Sequence, residues 1–167
     1  MNIFLKFLSV FLLLHTNLAQ AAHDDIKGEE QTSLEANQAY TPSLGDIMIG
    51  IQLRHAKLWY SGLASNWKLA EYKLEEILEG FEDIKKYQPN FDGKPTAEMI
   101  VKITSEPVKK LEQAIKAKDQ PAFIKSFDEM SNACNACHTV NGHEFISIQR
   151  PTSQPLTNQR FPYTEDF

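Results

Sequence analysis

Four stretches of this chain repeat apolar residues three and four positions apart, and the links between them are short. That pattern leaves few folds open, because each stretch is a helix with one stripe to bury. The first covers about 43–61, with Leu44, Met48, Ile51, His55 and Leu58 on one face. The second covers about 65–87, with Trp67, Ala70, Leu74, Ile77, Phe81 and Ile84 in line. The third covers about 96–117, with Ala97, Ile100, Thr104, Val108, Leu111 and Ile115. The fourth covers about 120–139, with Phe123, Phe127, Met130, Cys134 and Cys137. Links of a few residues force antiparallel neighbours, so the expected fold is all-α: an up-down-up-down four-helix bundle over 43–140. No strand pattern competes.

The ends carry their own signals. Ser43 after Pro42 suits an N-cap, Ser65 or Asn66 suits the second, and Pro121 sits where a first turn tolerates proline. Gly62 is expected to break the chain before the second helix, and Gly142 to end the fourth. Pro107 should kink or split the third helix, since it removes a donor. Residues 141–167 hold Pro151, Pro155 and Pro162 and no periodicity. They are expected to form an irregular tail, packed in part through Ile146, Ile148, Phe161 and Tyr163.

Ahead of the bundle, Lys6 precedes the apolar run Phe7 to Leu14, followed by Ala19-Gln20-Ala21. A positive start, a short apolar core and an A-x-A site predict a cleaved export signal over 1–21, with no permanent membrane anchor. Residues 22–42 are polar and aperiodic, predicting a mobile segment in which His23 is solvated. The expected location is therefore the periplasm. The formal charge of 17 − 22 = −5 becomes 16 − 22 = −6 once Lys6 is removed. An acidic domain of this kind offers no footprint for nucleic acid.

The chemistry concentrates in "SNACNACHTV", residues 131–140, which holds both cysteines of the chain. A disulfide across two intervening residues would close too small a loop to stabilise much. C-x-x-C-H is the attachment signature of a c-type haem. Two thiols one helical turn apart can add to the two vinyl groups of one porphyrin edge, and the next residue offers an imidazole to the iron. Cys134 and Cys137 are thus the expected tethers, and His138 the proximal iron ligand. A zinc site wants four ligands, and His138 with His143 is the sole histidine pair at usable spacing. A thioredoxin-like dithiol would sit near a βαβ pattern, which is not visible.

A fourth helix ending in "CNACH", preceded by "DQPAFIKSFDEMSNA", resembles the cytochrome c′-like (class II) c-type cytochromes. The resemblance covers about residues 43–140, and C-x-x-C-H is its one highly specific motif. The tail is longer than is usual in that family, and the first hairpin, after "IQLRHAKLWYSG", is tighter. The resemblance implies a haem bundle, often a homodimer. Some relatives leave the distal face open and bind small gases; others supply a methionine from helix 1 and transfer electrons.

The sixth ligand therefore separates two functions. His138 lies about 18 residues from the pole shared by helices 1 and 4, roughly 27 Å, and its side chain leans back toward that pole. Met48, about 21 Å from the pole, is level with the expected iron; His55, about 10 Å away, is not. Met48 is the candidate distal ligand, with His55 and an open site as alternatives. The expected function is one-electron transfer between redox partner proteins, with five-coordinate binding of nitric oxide or carbon monoxide as the alternative. No catalytic residue set stands out elsewhere, so an enzyme is not expected. Trp59, Trp67 and Tyr72 suit a core, and Arg54, Arg150 and Arg160 could pair with haem propionates.

Overall fold

A computed structural model of the chain describes residues 40–163. The expected export signal, and the polar segment as far as residue 39, lie outside the described residues. Four helices follow one another: α1 (Leu44–Leu63), α2 (Trp67–Tyr87), α3 (Thr96–Ala117) and α4 (Gln120–Val140). The described residues contain no strand, only an isolated antiparallel bridge between Phe91 and Lys94. The fold is an all-α four-helix bundle, and bundle and tail belong to one compact unit that begins at Pro42.

Local chemistry explains each start and stop. Ser43 opens α1 with a capping box: its hydroxyl accepts the Asp46 N–H and the Asp46 carboxylate accepts the Ser43 N–H. Asn66 caps α2 through Leu69 N–H, and Asp119 caps α4 through Ala122 N–H, with Pro121 in the first turn. The α2–α3 link reverses at Asp92 and Gly93, both at positive φ (50° and 73°), as the tight hairpin turn of an Asp-Gly pair requires. Gly142, at φ 79°, follows the end of α4.

The expectations at one glycine and one proline are corrected. Gly62 does not break the chain; it lies inside α1, which continues to Leu63, and the turn comes at Ser65 (φ 54°). A Cβ at Gly62 would stand 2.1 Å from the Phe123 ring, so this glycine lets α4 press against α1. Pro107 does not split α3, which runs as one helix through it. Thr104 and Val108 are buried on either side and hold both halves on the core.

The core has two unlike halves. Near the α1–α2 turn, Trp59, Trp67, Phe123 and Phe127 pack ring against ring, with centroids 4.9–6.4 Å apart. Phe123 and Phe127 are fully buried, each worth about 2–3 kcal/mol of burial. Tyr72 does not join this core; it points from α2 into solvent. Toward the far pole the four helices enclose a cavity whose wall is mostly aliphatic, with Phe81 and Phe91 among the lining side chains.

The tail is irregular, as expected, and docks along the bundle. Phe161 is buried against the Tyr60 ring, and its carbonyl accepts the Asn66 amide at 2.8 Å. Tyr60 donates to the Pro151 carbonyl, while Arg150 pairs with Asp128 on α4 and lies over Trp59. Ile148 is half-buried, but Ile146 and Tyr163 are largely exposed. Among the described residues no helix is long and apolar enough to cross a membrane.

Candidate functional site

The cavity at the far pole has a volume of about 360 Å³. All four helices and the start of the tail line it. Leu44, Ile77, Phe81, Ile100 and Met130 make much of its wall apolar. Cys134, Cys137 and His138 line it from α4, and Met48 and His55 from α1. The residues singled out in sequence thus meet at one place.

The vertical register of that meeting follows from a single contact. His55 Nε2 lies 2.8 Å from Ser131 Oγ, across the antiparallel seam of α1 and α4. Ser131 is seven residues before His138 on α4, and Met48 is seven residues before His55 on α1. Moving from the His55–Ser131 level by about 10 Å toward the cavity therefore brings Met48 opposite His138.

His55 itself is engaged. The Ser131 hydroxyl donates to the Phe127 carbonyl at 2.9 Å, so its oxygen accepts from His55, and the proton of the neutral ring sits on Nε2. The ring packs on Phe127 with centroids 4.3 Å apart and is only 5% exposed. Burial lowers its pKa to about 4, so it is neutral at physiological pH.

The two cysteines are free and carry protonated thiols. Burial pushes Cys134 up to about 11, with the neighbouring Cys137 adding to the effect. Burial also raises Cys137, against a weak donation from the Asn141 amide to its sulfur. A low-pKa nucleophile or a preformed thiolate site would require the opposite shift. Among the described residues no three His, Cys, Asp or Glu side chains are grouped to hold a metal ion.

His138 is half-buried and oriented by the tail. Its Nδ1 lies 2.9 Å from the Ile146 carbonyl, which can only accept, so Nδ1 carries a proton and, in the neutral ring, Nε2 is the nitrogen with the lone pair. Sequence reasoning did not anticipate this partner, nor the Asn135 side chain that grips Ile148 beside it. Arg54 donates to the Glu76 carbonyl, and Arg150 pairs with Asp128, so the bonds of both arginines run elsewhere than the cavity. Compared with family models, with curated proteins and with solved structures, the chain finds no match in any of the three.

Proposed function

We propose that this chain is an exported c-type cytochrome that carries one covalent haem in the α1–α4 cavity and transfers single electrons between redox partner proteins in the periplasm. The observation that carries the reading is the placement of Cys134, Cys137 and His138 on one wall of an apolar cavity whose opposite wall presents Met48. The residues fit the group. Two neutral thiols one turn apart suit thioether formation at the two vinyl groups, and the tautomer of His138 leaves Nε2 for the iron. Haem would bring nitrogen ligands of its own, so His138 and Met48 would be enough from the protein and no larger ligand cluster is required. When bound, the haem supplies a one-electron couple. The chain's part is to hold it, exclude water with the apolar wall, and set its potential through the axial pair. A thioether opposite an imidazole favours a low-spin centre and a raised potential.

The test is the mass and visible spectrum of the full chain exported alongside haem-attachment machinery. The expected result is a mass increase of one haem that survives denaturation. The spectrum should be low-spin when oxidised and unmoved by carbon monoxide when reduced. Met48→Ala should make the oxidised centre high-spin and lower the potential; if neither changes, Met48 is not the ligand. A wild-type spectrum that is high-spin and shifts with carbon monoxide would replace electron transfer by gas binding. A mature chain without covalent haem would overturn both readings.

A further inference from the structure

Beyond the bundle's end, the chain turns back on itself and returns to the very residue that the haem motif ends on. The His143 N–H donates to the His138 carbonyl at 2.8 Å, and the Ile146 N–H to the His143 carbonyl at 2.9 Å. These two turns bring the Ile146 carbonyl to His138 Nδ1. Two residues on, the Asn135 side chain takes both backbone groups of Ile148. Its Oδ1 accepts the N–H at 2.7 Å and its Nδ2 donates to the carbonyl at 2.8 Å. Asn135 lies inside the C-x-x-C-H motif, between the two cysteines. Farther along, Arg150 meets Asp128 through two nitrogens, and Phe161 is buried beside the α1–α2 turn, at the pole away from the cavity.

We propose that the C-terminal tail is a strap that fixes His138 in its Nδ1–H tautomer, with Asn135 as the positioning residue that clamps the strap in place. This deepens the haem reading and rests on it for its functional consequence. An exposed imidazole is free to exchange tautomers and to rotate; a carbonyl held at 2.9 Å from Nδ1 removes both freedoms. The same bond draws the Nδ1 proton outward and makes Nε2 a stronger donor, which stabilises the oxidised iron and lowers the potential. Ile146 acts through its backbone, so no substitution of its side chain removes the bond. Asn135 is the handle, because a single side chain holds the two backbone groups of Ile148.

The experiment compares the full chain with Asn135→Ala and with Asn135→Asp, which keeps the acceptor for the Ile148 N–H and loses the donor. Circular dichroism confirms that each variant retains the helical bundle. The first readout needs no haem: nitrogen-15 imidazole signals of His138 and amide exchange at Ile148, in the chain exported without attachment machinery. The expected result is one Nδ1–H tautomer in the wild type, a mixture in Asn135→Ala, and at least tenfold faster exchange at Ile148. Asn135→Asp should fall between. The second readout is the midpoint potential of the loaded protein, which should rise in Asn135→Ala with the low-spin spectrum retained. Unchanged tautomer and exchange in Asn135→Ala would overturn the strap. A wild type that takes up no haem, yet shows the tautomer lock and its loss, would instead overturn the haem reading and leave the strap standing.

Discussion

Acid should destabilise this protein through one side chain, His55. In the fold it is neutral, buried, and donates through Nε2 to Ser131. Protonation would place a charge and a second donor against Phe127 in the packed half of the core. The folded pKa is about 4 against an unfolded 6.5, so the unfolded chain binds more protons between these values. Stability from the neutral ring is therefore fully present above pH 6.5 and is lost as pH falls toward 4. The shift corresponds to about 3 kcal/mol in total, and about 2 kcal/mol of it disappears between pH 7 and pH 5. Ordinary domains hold only about 5–15 kcal/mol, so the loss is large enough to measure. The assay is urea unfolding of the wild type and of His55→Phe at pH 7, 6 and 5, followed by circular dichroism. Phenylalanine keeps the ring against Phe127 and gives up the bond to Ser131, at a cost of about 1 kcal/mol at pH 7. The variant should lose less on acidification and overtake the wild type between pH 6 and pH 5. Parallel pH profiles for the two proteins would refute the burial argument, because the carboxylates they share would then account for the whole slope.

Other substitutions separate the parts of the fold. Gly62→Ala should cost about 3 kcal/mol or more by urea unfolding, since the new Cβ would stand 2.1 Å from the Phe123 ring and α1 would have to move off α4. Asn66→Asp should keep the α2 cap but lose the amide donated to Phe161, speeding exchange in the tail while global stability falls by about 1 kcal/mol; Asn66→Ala should lose the cap as well, roughly doubling the cost. Phe161→Ala should cost up to about 3 kcal/mol and make the tail sensitive to limited proteolysis while the helical signal holds.

The helices were legible because burial imposes a period, and a period survives in the sequence. Every stripe residue named on α3 is buried, and so are Phe123, Phe127, Met130 and Cys137 on α4. Glycine and proline were harder, because each has two uses that the sequence does not distinguish. Gly62 marks a close approach rather than a break, and only the position of Phe123 on another helix reveals which. Pro107 lacks a donor, yet tertiary burial at Thr104 and Val108 outweighs the loss. That Met48, Cys134, Cys137 and His138 line one cavity was within reach of helical period and rise per residue. The route of the tail could not. Asn135, Asn66 and Tyr60 hold it by side-chain bonds to backbone groups far along the chain, and such bonds leave no pattern in composition or spacing.

The division of the core into two halves connects the fold to the reading of its site. Large rings fill the pole near the α1–α2 turn, where Gly62 lets Phe123 reach α1. At the other pole, Gly45, Cys134 and Cys137 occupy positions that ring-sized side chains could have filled, and the cavity lies between them. A closed apolar void of about 360 Å³ would cost on the order of 8 kcal/mol, more than many domains could bear. Here the cavity is open rather than sealed, and Ile49 on its lining is exposed. The aromatic half can thus hold the helices together while the other half keeps its walls apart. A planar apolar group tethered to α4 would remove those walls from water, so loading and stability should be linked: any ligand that prefers the folded bundle raises its midpoint of unfolding. Packed rings thus hold the helices at one pole, and the apolar cavity at the other is where such a gain in stability would arise.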